Sequence, residues 1–515
     1  MLIETTQYIY MKHLLPLLLL VAAATPTLRA QDCASDFDNL FYDTQLPAGS
    51  REIRAVWLTT IMGLDWPQRP ARTESESAQQ RKALTDILDK YVEAGINTVL
   101  FQTRVRSTTM FPSDMEPWDG ILTGEPGRAP SYDPLQFAID ECHKRGLEIH
   151  AWIVAFPICK ADVCKKLGSR ALPRQRPELC QLCGDKWVMD PGVPETGEYL
   201  ARFCAEVTRK YDIDGLHFDY IRYPEKSWGF KDDKTYAKYG NGQPKAQWRR
   251  DNVTRCVRLI HDTVKAIKPW VRLSCSPVGK YADLPRQSSS EWNARDAVSQ
   301  DAKLWLREGL MDMVFPMMYF DGRHFYPFVV DWNEDSGGRP IVPGLGAYLL
   351  SNKERGWSLN VIRRQMNVSR QVGSGGQCMF RSESFTDNTK GLYDFLARQF
   401  YRHPALPPAV EGATALPTPP SNCTAQREKH SLRFHWTAVA PARSAEYARA
   451  ARYHLYACPS DTFRIAEAHR IATNIEGTEF IYTPALPANL HQKFFITTFD
   501  AFNNESEAAR VEIIY

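Results

Sequence analysis

What most constrains this chain is a repeat of pattern rather than of residues. From Arg54 to about His403, apolar β-rich runs alternate with amphipathic helical stretches. Strands are expected at 54–60, 97–104, 148–156, 215–224, 272–279, 312–320, 340–349 and 377–383. Helical periodicity appears at 78–94, 134–145, 195–210, 245–268, 297–307, 359–371 and 392–401. The connection over 321–339 carries the weakest helical signal. Roughly 350 residues of β-then-α repeat suit an α/β fold of the closed (β/α)8 TIM-barrel type with long loops. An open doubly wound sheet fits less well, because it often carries a Gly-rich phosphate turn and none is present. The barrel is expected over 51–403.

Beyond His403 the texture changes. Pro404, Pro407, Pro408, Pro417, Pro419 and Pro420 mark a linker over 404–422. Short alternating runs at 432–437, 453–457, 479–483, 493–499 and 510–514 then predict a small all-β sandwich over 423–515. Its ending, Phe499-Asp500-Ala501-Phe502-Asn503-Asn504-Glu505-Ser506, resembles the last hairpin of fibronectin type III modules. Such a module serves as a spacer, as a packing partner or as a glycan-binding unit.

Composition removes several classes of function. With 43% hydrophobic and 24% charged residues, the chain is neither disordered nor a small disulfide scaffold. Sixty-three Lys plus Arg against 60 Asp plus Glu leave +3, far from the basic excess of a nucleic-acid binder, so no nucleic-acid partner is expected. The sequence holds no H-E-x-x-H, no G-x-S-x-G and no P-loop, which argues against metalloprotease, esterase and nucleotide chemistry, and no cofactor is expected. Lys12, the apolar run from Leu14 to Ala24 and Leu28-Arg29-Ala30 read as a signal peptide over 1–30, cleaved after Ala30. Gln31 and Asp32 stand where small residues would precede a lipidated Cys33. No later stretch approaches the roughly 20 apolar residues of a membrane span. A periplasmic, cell-surface or secreted chain working as a monomer is therefore expected.

Among 12 cysteines, Cys159, Cys164, Cys180 and Cys183 cluster as C-x4-C-x15-C-x2-C. That spacing suits a structural zinc knot, whereas an oxidising compartment favours two disulfides; free thiols are the third reading. Cys142, Cys204, Cys256, Cys275 and Cys378 lie in apolar patterns and read as ordinary buried residues.

A TIM barrel places its chemistry at the C-terminal strand ends. The fourth strand reads Asp214-Gly215-Leu216-His217-Phe218-Asp219-Tyr220-Ile221-Arg222. Alternation turns Leu216 and Phe218 toward the helices, and His217 and Asp219 toward the barrel axis. A carboxylate there is costly without a partner or a task, and His217, Arg104 or Arg222 could pair with it structurally. Other strand ends offer Trp57, Gln102, Arg104, His150, Trp152, Ser276, Tyr319, Asp321 and Glu383. Carboxylates among aromatic platforms and hydrogen-bond donors are what a sugar-processing cleft requires. Residues 110–132 and 225–243 add Trp118, Trp228, Phe230, Tyr236 and Tyr239, as long loops above a polymer cleft would.

These residues resemble the bacterial glycoside-hydrolase-family-10-like proteins, exported chains taken for glycosidases. The likeness rests on Arg54-Ala55-Val56-Trp57-Leu58, Phe101-Gln102-Thr103-Arg104, Gly146-Leu147-Glu148-Ile149-His150-Ala151-Trp152, Met189-Asp190-Pro191-Gly192, Tyr211 to Asp219, Trp248-Arg249-Arg250-Asp251-Asn252, Ser274 to Gly279 and Asp312 to Tyr319. It implies a TIM barrel, a glycan substrate and a centre around Asp219, with Gln102, Arg104, His150, Trp152, Arg250, Asn252 and Tyr319 near it. His217, Arg222, Trp248 and Trp57 complete the expected substrate-binding set. This chain departs from many members at Tyr220, where a second Asp is common, and at Met317, Ile153 and Val154. A more distant similarity to family 18 chitinases covers Asp214, Gly215 and Asp219, but His217 and Ile221 replace an Asp and the catalytic Glu, which excludes that mechanism.

The expected activity is cleavage of O-glycosidic bonds in a polysaccharide, with peptidoglycan glycan strands as a candidate. Asp219 is the first catalytic carboxyl; Glu383 and Asp321, then Glu225, are candidates for the second. The alternatives are a non-catalytic glycan-binding barrel and an adaptor whose sandwich docks a protein.

Overall fold

The computed structural model describes residues 51–289, 292–411, 416–438, 452–465, 467–483 and 492–514. The expected signal peptide and Cys33 lie outside these residues.

Eight parallel strands form the centre: β1 Ile53–Leu58, β2 Thr98–Arg104, β3 Glu148–Val154, β4 Gly215–Asp219, β5 Arg272–Cys275, β6 Met313–Val314, β7 Gly344–Leu345 and β8 Gly376–Met379. Hydrogen bonding runs in the order β7-β8-β1-β2-β3-β4-β5-β6. Bridges from Val314 to Ile341 and from Met317 to Gly344 join the two ends and close a TIM barrel. The sixth and seventh strands are shorter than their apolar runs. Pro316 and Pro343 interrupt the ladders there, since proline has no N–H to donate.

Helices α1 Glu74–Glu93, α2 Pro134–Lys144, α3 Pro194–Lys210, α4 Lys245–Ile267, α5 Ala302–Arg307, α6 Tyr326–Glu334 and α7 Leu359–Gln371 pack outside. Their starts are written locally. Thr73 and Glu76 exchange a full capping box, and Asp133 accepts from the amides of Leu135 and Gln136. The connection with the weakest helical signal does hold a helix, α6. Its buried Phe328, Val329 and Trp332 supply the packing that its propensity does not.

Strand alternation sorts two apolar layers. Leu216, Phe218, Ile149 and Val99 join the strand–helix core, while Ile53, Ala55, Trp57, Leu100, Trp152, Met313, Phe315, Val342 and Cys378 fill the barrel. The large interior rings need glycine opposite them. A Cβ on Gly344 would stand 2.7 Å from the Trp57 ring, and one on Gly215 would stand 2.7 Å from His150 Nδ1.

The C-terminal part is all-β, with two four-stranded sheets. One runs 479–482, 432–437, 421–427, 512–514; the other runs 469–475, 452–458, 493–499, 509–510. Leu432, Phe434, Trp436, Tyr453, Leu455, Phe494 and Ile496 make its core. It sits against the N-terminal ends of the barrel strands. Asn474 Nδ2 donates to Gly146 O at 3.3 Å, Asn503 Nδ2 donates to Glu148, and Trp270 meets Phe502 edge-on at 5.9 Å. The first residues of the expected linker are a packed strap rather than a free tether. Leu406 is buried, its carbonyl accepts from the Glu52 amide at 2.9 Å, and Arg51 Nη1 donates to Pro407 O at 2.8 Å.

Candidate active site

β4 ends at Asp219, which is 7% exposed. Its Oδ1 accepts from the Tyr220 amide at 2.8 Å and from Ser276 Oγ at 3.1 Å. Both bonds fall on one oxygen and leave Oδ2 outside them. Burial pushes the Asp219 carboxyl above the usual carboxylate range; Arg222, the Tyr220 amide, Ser276 and the Trp152 indole pull it back without cancelling the effect. The shift is in the direction that a proton donor requires.

Tyr220 follows with φ of +50°, a left-handed backbone that a residue with a side chain rarely adopts. The turn directs its amide at Asp219 and its ring into a ladder. Trp228 lies 6.2 Å from the Tyr220 ring, and the Arg222 guanidinium lies 4.5 Å from it. Trp292 covers Arg222 at 5.6 Å, and Lys186 lies 4.8 Å from Trp228. Across the mouth, Tyr319 stacks on Phe380 with centroids 5.1 Å apart and meets Tyr348 edge-on. Burial, with Asp219 and Tyr220 among the groups acting on it, holds the Tyr319 phenol far above its ordinary range. Asp219, Ser276, Trp152, Tyr220, Arg222 and Tyr319 therefore belong to one site.

Beneath it lies a buried layer. Trp57 Nε1 donates to His217 Nε2 at 3.1 Å, so the proton on His217 sits at Nδ1 and faces Ser274 Oγ at 3.0 Å. Burial, then the nearby His150, keeps His217 well below the usual histidine range, and it is neutral. His217 and Trp57 are a floor under Asp219 rather than groups in the mouth. His150 lies lower still, two residues below Trp152 on β3, with Nε2 3.6 Å from Glu148 at the closed end of the barrel. It is removed from the strand ends where it was expected to act.

Other expected substrate contacts hold loops. Gln102 Oε1 accepts from the amides of Thr60 and Ile61 at 2.9 and 2.8 Å, which fixes the loop after β1. A register shift between Gln102 and Arg104 turns Arg104 off the mouth. Its Nη2 reaches Glu116 at 2.6 Å with both side chains almost fully buried, and its Nη1 donates to Ala155 O at 2.6 Å. On α4, Trp248 meets Tyr236 edge-on at 5.2 Å and Asn252 Nδ2 donates to Tyr223 OH at 3.1 Å. Arg250 Nη2 donates to Gln247 at 2.6 Å. Trp248 and Asn252 fasten the loop after β4 to its helix, whereas the Arg250 bond stays within the helix.

The carboxyls considered as partners of Asp219 divide clearly. Glu383 stands on a short helix, Ser382–Thr386, and is turned onto Arg381, which also donates to Asp65 at 2.8 Å. Asp321 is exposed and accepts from the Gly322 amide at 2.6 Å, capping its own turn. Glu225 Oε1 accepts from Arg222 Nη2 at 3.2 Å. Sequence reasoning did not single out Trp292, Asp65 or Glu116. Asp65 sits seven residues beyond β1 with no motif around it, and Trp292 is an isolated aromatic in a loop.

The four-cysteine segment does not gather into a knot. Cys159 and Cys164 face each other with sulfurs 2.7 Å apart, while Cys180 and Cys183 lie on a hairpin strand. Among the described residues no group of three or more His, Cys, Asp or Glu side chains could hold a metal, against the zinc reading. Among them, too, no helix is long and apolar enough to cross a membrane.

The profile of the family described as glycosyl hydrolase-like 10 matches residues 52–334, more than half the chain. The chain belongs to the glycosyl hydrolase-like 10 family. The glycosyl hydrolase YngK of Bacillus subtilis is 30% identical over 484 residues, covering 89% of this chain and 93% of that protein. The glycosyl hydrolase DigH of Escherichia coli is 34% identical over 290 residues, covering 53% of this chain and 66% of that one. Membership in the glycosyl hydrolase-like 10 family places the chain among the glycosyl hydrolases. Solved structures similar to it include the catalytic domain of β-amylase from Paenibacillus polymyxa, with 10% identity, TM-score 0.45 and coverage of 69% of this chain and 99% of that one. The PgaB (BpsB) glycoside hydrolase domain of Bordetella bronchiseptica has 14% identity and TM-score 0.44, covering 67% of this chain and 98% of that one.

Proposed function

We propose that this chain is an exported glycoside hydrolase that cleaves O-glycosidic bonds in a polysaccharide, with Asp219 donating the proton that releases the leaving sugar. The observation that carries this reading is the position of Asp219. A carboxyl with raised proton affinity sits at the mouth of the barrel between Trp152, Tyr220 and Tyr319, aromatic faces of the kind that pack on pyranose rings. Glycosidic oxygens are poor leaving groups until protonated, so an acid whose proton affinity is raised by burial supplies what the bond needs. Peptide-free glycan strands of peptidoglycan are the candidate polymer, since the signal read at the N-terminus would bring the chain to the cell envelope.

The competing reading is a glycan-binding barrel without catalysis. It is favoured by the engagement of Glu383 with Arg381 and by the exposure of Asp321. Mass spectrometry of products from the parent and from Asp219→Asn, incubated with a glycan panel that includes peptide-free peptidoglycan strands, separates the two. Products from the parent alone support hydrolysis. Binding by both without product from either overturns it.

A further inference from the structure

We infer that Glu225 is the second carboxyl of the reaction: a general base, fixed by Arg222 beside Asp219, that takes a proton from the attacking water. The inference rests on the reading of Asp219 as the acid.

Three features of the mouth select Glu225. The first is its connection. Arg222 is the foremost of the groups that offset the burial of Asp219, and the same guanidinium donates to Glu225 Oε1 at 3.2 Å. The Tyr220 phenol lies in the field of Asp219, Arg222 and Glu225 together. Neither Glu383 nor Asp321 shares a partner with Asp219 in this way.

The second is rigidity. The Arg222 side chain is 3% exposed and sandwiched between Tyr220 and Trp292. Its Nε and Nη1 are buried without a hydrogen-bond partner among the described residues. An arginine held by two rings rather than by a full set of acceptors is positioned for its charge, and it sets where Glu225 stands relative to Asp219. A base must be placed to within a fraction of an ångström to be useful.

The third is the contrast in exposure. Asp219 is buried, whereas the Glu225 side chain is 31% exposed and can meet water arriving from the cleft. Among the described residues the ion pair of Arg222 runs to Glu225, and none joins it to Asp219. An inverting glycosidase holds its two carboxyls about 6.5–9.5 Å apart to admit the attacking water, so the anomer of the product tests this pairing.

Asp219 gives its proton to the glycosidic oxygen as the bond from that oxygen to the anomeric carbon breaks. A water attacks the opposite face of the same carbon and passes a proton to Glu225. The sugar is released with inverted configuration, and solvent returns the proton from Glu225 to Asp219.

The test uses the parent, Asp219→Asn, Glu225→Gln and Glu225→Ala on peptide-free peptidoglycan strands, with kcat and KM measured separately and the anomer of the first product read by NMR. Glu225→Gln is expected to lower kcat by about 10²–10⁴-fold, with KM changed by less than about threefold. The parent is expected to give the inverted anomer. Glu225→Ala is expected to regain turnover in sodium azide, releasing a glycosyl azide, a result that an unfolded variant cannot give. A Glu225→Gln kcat within about twofold of the parent overturns the inference, as does a retained anomer, or no azide rescue in a Glu225→Ala variant that melts like the parent. If the parent cleaves and Asp219→Asn does not, any of these outcomes removes Glu225 alone. If the parent forms no product, the reading of Asp219 falls first.

Discussion

Ser276 Oγ stands 3.1 Å from Asp219 Oδ1, a bond between the tops of neighbouring strands β5 and β4. It holds a carboxyl whose burial the fold does not fully offset, and that has a consequence for stability. Above its raised folded pKa, Asp219 is ionised in both the folded and the unfolded chain, and its burial then destabilises the fold. As pH falls toward about 3.9, the unfolded Asp also takes up its proton and the penalty disappears. Asp219→Asn keeps the acceptor oxygen and removes the charge. It is expected to abolish turnover and to stabilise the protein by roughly 0.5–2 kcal/mol at neutral pH, the gain typical when a functional compromise is relieved. Thermal melts of both proteins from pH 4 to 8 check this, and a variant less stable than the parent at pH 7 would refute it.

Arg104 was expected to touch substrate, and its surroundings predict a different phenotype. It pairs with Glu116 at 2.6 Å, with side chains 0% and 1% exposed, and Tyr199 OH also donates to Glu116 at 3.1 Å. Removing one member of a buried pair leaves the other charge uncompensated, at a cost of about 3–5 kcal/mol. Glu116→Gln is expected to lower the unfolding free energy by about that amount, while kcat of the folded fraction changes by less than about threefold. Denaturant titration together with active-site counting decides between the roles. A normal midpoint with a collapse in kcat would return Arg104 to the substrate.

The barrel was legible because its signal is periodic and repeated. Eight apolar runs separated by amphipathic stretches survive errors at any one boundary, and the short β6 and β7 only trim the pattern at Pro316 and Pro343. Asp219 was legible for a related reason, since alternation from Leu216 and Phe218 leaves it facing inward at a strand end. Depth along a strand is not written in alternation. His150, Trp152 and Val154 share one face, yet His150 reaches Glu148 at the closed end, while Trp152 is among the groups acting on Asp219. Nor does alternation register a shift such as the one at Gln102 and Arg104, which moves a guanidinium from the axis into a loop clamp. Partners supplied by loops, such as Glu116, Asp65 and Trp292, carry no period at all.

Gly344 offers a direct test of the interior packing. A Cβ there would meet Trp57 Cη2 at 2.7 Å and Pro316 O at 3.0 Å. Trp57 cannot withdraw easily, because it donates to His217 and meets Phe315 and Phe380 edge-on at 6.1 and 5.9 Å. Gly344→Ala is expected to cost about 1–3 kcal/mol as an overpacked core. It is also expected to lower kcat, since Phe380 is the ring on which Tyr319 stacks. An unchanged melting temperature would show that the interior has slack there.

At the closed end of the barrel the C-terminal sheets are expected to act on stability rather than on the cleft. Glu148 lies at the start of β3 and is held below the usual carboxylate range: its burial acts to raise it, but Arg272 at 2.8 Å and His150 outweigh that. Asn503 of the sandwich donates to the same carboxylate, and Arg51 Nη1 donates to Asn503 O at 2.7 Å. The strap adds the buried Leu406 and the Pro407 carbonyl, which accepts from Arg51 at 2.8 Å. A chain ending at 411 keeps the strap and loses the sandwich; a chain ending at 403 loses both. Both are expected to melt below the full chain, the shorter one lower, because each exposes buried charge and backbone that the next segment satisfied. Because the depressed pKa of Glu148 contributes stability above about pH 4.3 that fades as pH falls through its folded value, the gap between Asn503→Ala and the parent should narrow in acid. KM for a soluble glycan fragment should stay within about twofold in whichever truncation folds, since the module sits at the end of the barrel opposite Asp219. A truncated chain with the full melting temperature would reduce the sandwich to a passenger, and a large rise in KM would instead make it part of the cleft.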